Sequence, residues 1–197
     1  MYKNLKVLLL ILFLISHSST SFAKQPILFI EELVSEATTI LSSDESKFSK
    51  VEKLKNIAIN AVDIEGIGLY TLGKYRKIIT EEEKTKYNIL FKDYFLKSFS
   101  NRLVEYEDAK ISVISENVKS EKYTIVSSKL MATKERPEVK IDWRVYTKNP
   151  DKPLIRDLII EDLSLARSQQ EEFRSVIENN DGNLEALFES LSKYINK

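Results

Sequence analysis

Between Val139 and Val145 the chain alternates strictly. Val139, Ile141, Trp143 and Val145 are apolar, and Lys140, Asp142 and Arg144 between them are charged. Successive side chains of a strand point to opposite faces, so this stretch is a strand with one dry and one wet face. A sheet of such strands needs cover on one side only, which predicts an antiparallel sheet on a single layer of helices. Lys110 to Asn117, Lys122 to Thr133 and Leu154 to Glu161 carry β-branched or alternating apolar residues and are expected to pair with the Glu138 to Thr147 strand. Arg136-Pro137 and Asn149-Pro-Asp-Lys-Pro153 break the chain between the later strands.

On either side of these strands the period changes from two to about 3.6. From Pro26, the residues Ile27, Ile30, Leu33, Val34, Ala37, Ile40 and Leu41 fall on one helical face, and proline suits a first turn. Phe48 to Val62 repeats the pattern, and Asp63 to Gly73 reads as a short helix bracketed by glycines. Thr80 and Glu83 form a capping box for the longest helix, reaching to about Tyr106 with an aromatic stripe that includes Tyr87, Phe91, Phe95 and Phe99. After the strands, Ser168 with Glu171 predicts a cap for a helix bearing Phe173, Val176 and Ile177. Asp181-Gly182 ends that helix and Asn183 opens a last one. Helices, then a meander, then helices define the α+β class, with one domain.

Residues 1–23 have the form of a secretory signal peptide. Lys3 and Lys6 precede nine apolar residues, Val7 to Ile15, too few for the roughly 20 that span a bilayer. Ser21-Phe22-Ala23 is a cleavage site that would leave residues 24–197 as the mature domain, 174 residues once the 23 of the leader go from 197. With Lys3 and Lys6 gone from 30 basic residues, against 30 acidic ones, the mature net charge is −2. Such a chain has no basic field for nucleic acid. It has no cysteine, which excludes disulfides, lipoprotein processing and thiolate metal sites. The one histidine, His17, lies in the leader, so histidine-dependent triads and ordinary zinc sites are excluded from the mature domain as well.

The remaining candidates for chemistry are weak. Ser190-Leu-Ser-Lys193 has the spacing of a serine–lysine pair but sits in an amphipathic helix. Asp157, Glu161 and Asp162 could be imagined as hydrolase carboxylates, although strand ends and turns favour acids anyway. Asp142 or Asp157 could serve an enzyme as a desolvated acid, Asp157 standing in an otherwise apolar strand. Gly66-Ile-Gly68 with Gly73 follows a helix rather than a strand, so helix punctuation accounts for it better than a phosphate loop.

Three blocks, taken in order, resemble the MlaC family of periplasmic phospholipid carriers. Val62 to Arg76 resembles an Asp-containing turn followed by a leucine-glycine and aromatic-arginine ending. Thr80 to Tyr106 resembles the long helix with Phe91, Phe95 and Tyr106 at its aromatic positions. Arg156-Asp157 through Phe173, with Trp143-Arg-Val-Tyr146 before it, resembles the terminal strand-to-helix block. Asp162 stands where the family often has glycine, and Ser98-Phe99 replaces a common tyrosine. The resemblance implies an NTF2-like curved antiparallel sheet packed with helices around an apolar lipid cavity, a monomer, no catalysis, and no cofactor beyond a bound phospholipid. It implies a periplasmic shuttle between an outer-membrane lipoprotein–porin complex and an inner-membrane ABC transporter with an MCE-domain protein, maintaining outer-membrane asymmetry. A hopanoid or other apolar ligand, or a ligand-free adaptor role, is the alternative. The expected cavity lining is Val139, Ile141, Trp143, Val145, Leu158 and Ile160 from the sheet, with Leu69, Leu72, Phe91 and Phe95 from the helices. Tyr70, Tyr75 and Arg76 are expected near the head group. For each of these residues plain core is the competing reading.

Overall fold

A computed structural model describes residues 25–106, 110–134 and 136–197; the expected leader lies outside the described residues. Helix α1 (Pro26–Leu41) begins on its proline, and α2 (Lys47–Ala61) is capped by Ser46, whose hydroxyl accepts the Ser49 amide at 3.2 Å. Asp63 then caps α3 (Ile64–Thr71) by accepting the Gly66 amide at 3.0 Å. A 3-10 turn (Gly73–Lys77) follows, entered through Gly73 at φ +55°, where a side chain would be strained. The capping box at Thr80 and Glu83 is closed in both directions and opens α4 (Glu81–Leu103). Tyr87 and Phe91 of its aromatic stripe are buried, and Phe91, Phe95 and Phe99 stack in series with centroids 6.2 and 5.6 Å apart. Gly68 lets α3 press on that stripe, since a Cβ there would lie 2.8 Å from the Phe91 ring.

The strands β1 (Ile111–Ser120), β2 (Tyr123–Leu130), β3 (Val139–Tyr146), β4 (Leu154–Ile160) and β5 (Leu163–Ser164) form an antiparallel sheet in sequence order. Irregularities at Val113/Ser115 and Val118/Ser120 in β1, and between Arg144 and Val145 in the β3–β4 pairing, bend the sheet. At the last of these, Arg144 pairs with Asp157 while Val145 pairs with Ile155, so Arg156 is the extra residue. Opposite the bulge end of β4, Val62 bridges Ile155 and the Asp63 amide donates to the Ile155 carbonyl at 2.9 Å. The start of α3 is thereby fixed to the sheet.

One face of the sheet is sealed by helices. Val126, Val145 and Ile155 join Ile30 of α1, Leu72 just past α3, Tyr87 and Phe91 of α4, and residues of the last two helices in the main core. Leu130 and Ile141 form a smaller cluster with Val139, Trp143 and Leu158 packed on it. The fold is therefore α+β, with a bent antiparallel meander on a helical layer, as the alternation requires.

The passage from β4 to the last helices differs from its expected form. Ile160 pairs with Leu163, leaving a two-residue turn in which Glu161 and Asp162 both have positive φ, 47° and 65°. Two successive left-handed residues make the turn that matches the twist of a tight hairpin, and aspartate tolerates that conformation better than most side chains do. Helix α5 (Leu165–Glu178) starts ahead of the expected Ser168 cap. Its N-cap is Ser164, which accepts the Arg167 amide at 3.1 Å. The Ser168 hydroxyl instead bonds the Ser164 carbonyl, and Glu171 pairs with Arg174. The reason for the earlier start is Asp157, which supports the Ser164 cap from the neighbouring strand. The left-handed Gly182 precedes α6 (Leu184–Ile195), capped by Asn183.

Candidate functional site

The charged face of the sheet is only partly open to solvent. With α3 and the start of α5 it forms an open-mouthed cavity of about 960 Å³. Tyr123, Ile125 and Ser127 of β2, Asp142 and Arg144 of β3, and Ile159 of β4 form its floor. These residues alternate with the buried Thr124, Val126, Ser128, Ile141 and Val145, as the period of two demands. Asn117, Lys119 and Ser120 close the β1 side, while Ile67, Leu69, Tyr70 and Arg76 hang over it from α3 and the turn after it. The bulge brings Arg156 and Asp157, neighbours in sequence, to the same cavity.

Polar groups of the floor hold one another. Arg156 donates from Nε to Asp63 at 2.6 Å and from a terminal nitrogen to the Tyr123 hydroxyl at 2.9 Å, and its guanidinium lies 3.6 Å from the Tyr146 ring centroid. Burial works against its charge, but the bonds to Tyr123 and Asp63 outweigh burial and hold it above its ordinary pKa. Asp142 accepts the Ser127 hydroxyl at 2.7 Å and pairs with Lys140 at 3.0 Å; Lys140 also reaches Asp162 at 3.2 Å. The two carboxylates, Asp142 before Asp162, raise the pKa of Lys140. Asp157 is only 3% exposed. It accepts the Ser164 hydroxyl at 2.6 Å and the Ala166 amide at 3.0 Å, with Arg144 at 3.7 Å. A carboxylate so placed completes the first turn of α5 and complements its dipole. That structural duty explains an acid within an apolar strand. Among the described residues no group of three or more histidines, cysteines or carboxylates could hold a metal, and no helix is long and apolar enough to cross a membrane.

Of the residues expected to line a site, Leu69, Tyr70 and Arg76 border this cavity. The others lie elsewhere. Leu72, Phe91, Val145 and the expected head-group residue Tyr75 are buried in the main core, and Phe95 packs against it. Ile141 is in the smaller cluster, with Val139, Trp143 and Leu158 packed on it, and Trp143 Nε1 donates to Ser128 at 2.8 Å. Ile160 is half-buried at the β5 turn. The alternation does group the six sheet residues on one face, and that face is the one closed by helices. In the sequence the charges of the cavity floor look like ordinary solvated strand positions. One signal was available: Ile125 and Ile159 are apolar on the side that should be wet, as befits a face with a roof.

Over residues 31–193 the chain matches the MlaC protein family. Among solved structures it is similar to a phospholipid-binding protein from Ralstonia solanacearum, determined in complex with a phospholipid. The two chains are 17% identical and superpose with a TM-score of 0.70 over 85% of this chain and 95% of the other. At that identity the likeness is one of fold. No curated protein matches the chain in sequence.

Proposed function

The chain belongs to the MlaC family, and from that premise we propose that it is a non-catalytic periplasmic carrier of phospholipid. In this reading it passes lipid between an outer-membrane lipoprotein–porin complex and an inner-membrane transporter containing an MCE-domain protein. The observation that carries the proposal is the cavity of about 960 Å³ under α3, at the upper end of the usual ligand range. It lies on a fold that a phospholipid-binding protein shares. The charged floor favours a cargo with a polar head over a bare hydrocarbon or a hopanoid skeleton.

Physics supports a carrier that never releases its cargo to water. Each buried methylene stabilises by about 0.8 kcal/mol, so a chain of about 16 carbons is held by roughly 12 kcal/mol. Dissociation over such a barrier is too slow for transport, whereas sliding the tail between two docked apolar cavities avoids it. The polar head sits at the cavity mouth beside Tyr70 and Arg76. The tails enter between α3, α4 and the sheet, where Leu69, Leu72, Phe91 and Phe95 share the main core with Trp143, Val145 and Leu158, and they run on toward Val139, Ile141 and Ile160. Admitting them requires those packed surfaces to part, and docking on a membrane complex supplies the opening. The points that must yield are specific: the Tyr87 hydroxyl bonds the Gly68 carbonyl at 3.1 Å, and the Gln170 amide bonds the Tyr70 carbonyl at 2.5 Å.

Lipid extraction and mass spectrometry of protein purified from membrane-bearing cells test the reading. Near-stoichiometric phospholipid is expected. Protein that is lipid-free and stays so after incubation with phospholipid vesicles would leave only an adaptor role.

A further inference from the structure

The cations of the cavity outnumber the charges available to neutralise them locally. Arg76, Lys119, Arg144 and Arg156 line it, as do Asp142, Asp157 and Asp162. Each acid is already engaged. Asp142 and Asp162 share Lys140, which lies outside the lining. Asp157 is taken by the Ser164 hydroxyl and the Ala166 amide. Arg156 is matched by Asp63, also outside the lining. That leaves Arg144, 44% exposed, with its nearest carboxylate 3.7 Å away. Arg76 and Lys119 form no ion pair among the described residues.

The sheet register sets the free cations apart from the Asp142–Lys140–Asp162 group; the one acid among them, Asp157, pairs across the sheet with Arg144 but has its oxygens bonded to Ser164 and Ala166. Asp142 pairs across β2 with Ser127, next to the Asp162 turn. Arg144 lies two residues farther along β3, about 7 Å away at strand rise, opposite Ile125, which in turn pairs with Asn117. Lys119 lies two residues beyond Asn117, toward the Tyr123 and Arg156 end. One end of the floor thus carries the Asp142–Lys140–Asp162 group, and the rest presents guanidinium and ammonium groups with donors to spare. A guanidinium with free donors in a partly covered site matches phosphate oxygens in geometry and charge.

We propose that Arg144, Lys119 and Arg76 form a subsite for an anionic phosphoester, so that the protein selects phospholipids whose head group bears net negative charge over zwitterionic ones. The inference rests on the carrier reading and supplies the substrate class that reading leaves open. Because all three side chains keep contact with water, the selectivity is electrostatic and salt-sensitive.

The test offers the purified protein vesicles of phosphatidylglycerol or of phosphatidylcholine and counts bound lipid by native mass spectrometry, at low and high salt. Phosphatidylglycerol should load with about tenfold preference at low salt, a margin suited to three half-exposed cations, and the preference should shrink with added salt. Lys119→Gln, at an exposed strand position, should reduce it without affecting folding, and Arg144→Gln should reduce it further; Arg144→Lys should restore part of it. Equal loading of the two lipids by the native protein overturns the inference while leaving the carrier standing. Loading of neither removes the carrier reading and this inference with it. A third arm offers glycerol phosphate alone: binding as tight as that of the lipid would assign the subsite to a free phosphoester and overturn the lipid selectivity.

Discussion

The two faces of the sheet are built from the same strands and do opposite work. On one, Val126, Val145 and Ile155 are buried in a single core cluster with residues of helices α1 to α6. On the other, Ile125, Arg144 and Ile159 keep contact with solvent and floor the cavity. Close packing makes the first face intolerant of lost volume, because a cavity left there cannot collapse. The second face already borders empty space, so side chains there can change with little cost to folding and are available for binding. Stability and ligand choice are thereby placed on alternate residues of single strands.

That separation predicts the largest contrast between residues four apart in β4. Ile155→Ala, at a position 4% exposed, should cost about 2–5 kcal/mol. Ile159→Ala, on the cavity face, should cost about 1 kcal/mol, since it is only partly buried and borders the cavity. Urea unfolding followed through Trp143, the sole tryptophan, measures both. Equal losses would mean that the cavity face is packed as tightly as the core.

Asp157 is the exception that sharpens the rule. It borders the cavity, yet its carboxylate ties β4 to the first turn of α5. Asp157→Ala would leave the Ser164 hydroxyl and the Ala166 amide without their partner in a buried setting, at about 1–3 kcal/mol. The same unfolding measurement applies, and hydrogen exchange should show faster opening in the first turn of α5 ahead of the rest. Uniform acceleration, or none, would deny the carboxylate that capping duty.

How far the sequence reveals this arrangement depends on which interactions are local. The bounds of α1, the Thr80–Glu83 capping box and the alternation in β3 are set within a few residues, and all three are readable. The bulge at Arg156 is not, because it depends on how β4 pairs with β3, and it puts two consecutive charged residues on one side. The start of α5 is hidden for the same reason: the second half of its cap, Asp157, comes from another element. The cavity floor is hidden by its charges. Lys140, Asp142 and Arg144 look like solvent-facing residues of a one-sided sheet, and only α3, brought over the sheet by the Val62–Ile155 bridge, makes two of them cavity residues.

Gly68 gives the next smaller effect and bears on the moving parts. Adding a methyl there drives it against the Phe91 ring, so Gly68→Ala should cost about 1–3 kcal/mol, less whatever the alanine contributes as a better helix former. If α3 is the element that parts to admit lipid, this variant should also exchange lipid between vesicles faster than the native protein, since its closed state is the one strained. Slower exchange at reduced stability would place the opening elsewhere.

The smallest effect comes from the turn between β4 and β5. Asp162 holds φ at 65°, a conformation that costs an L-residue free energy and a glycine almost none. Asp162→Gly should therefore raise stability by about 0.5–1 kcal/mol, partly offset by greater freedom of the unfolded chain and by the loss of its exposed pair with Lys140. Glu161 is the control. Its φ of 47° is equally left-handed, but its carboxylate accepts the Lys140 amide at 2.6 Å, so Glu161→Gly trades relief of strain for a lost bond and should gain nothing. Urea midpoints of the two variants should move apart, with only Asp162→Gly above the native value. The reverse order would mean that Asp162 is retained for the charge it brings to the acidic end of the cavity and not merely tolerated in its turn.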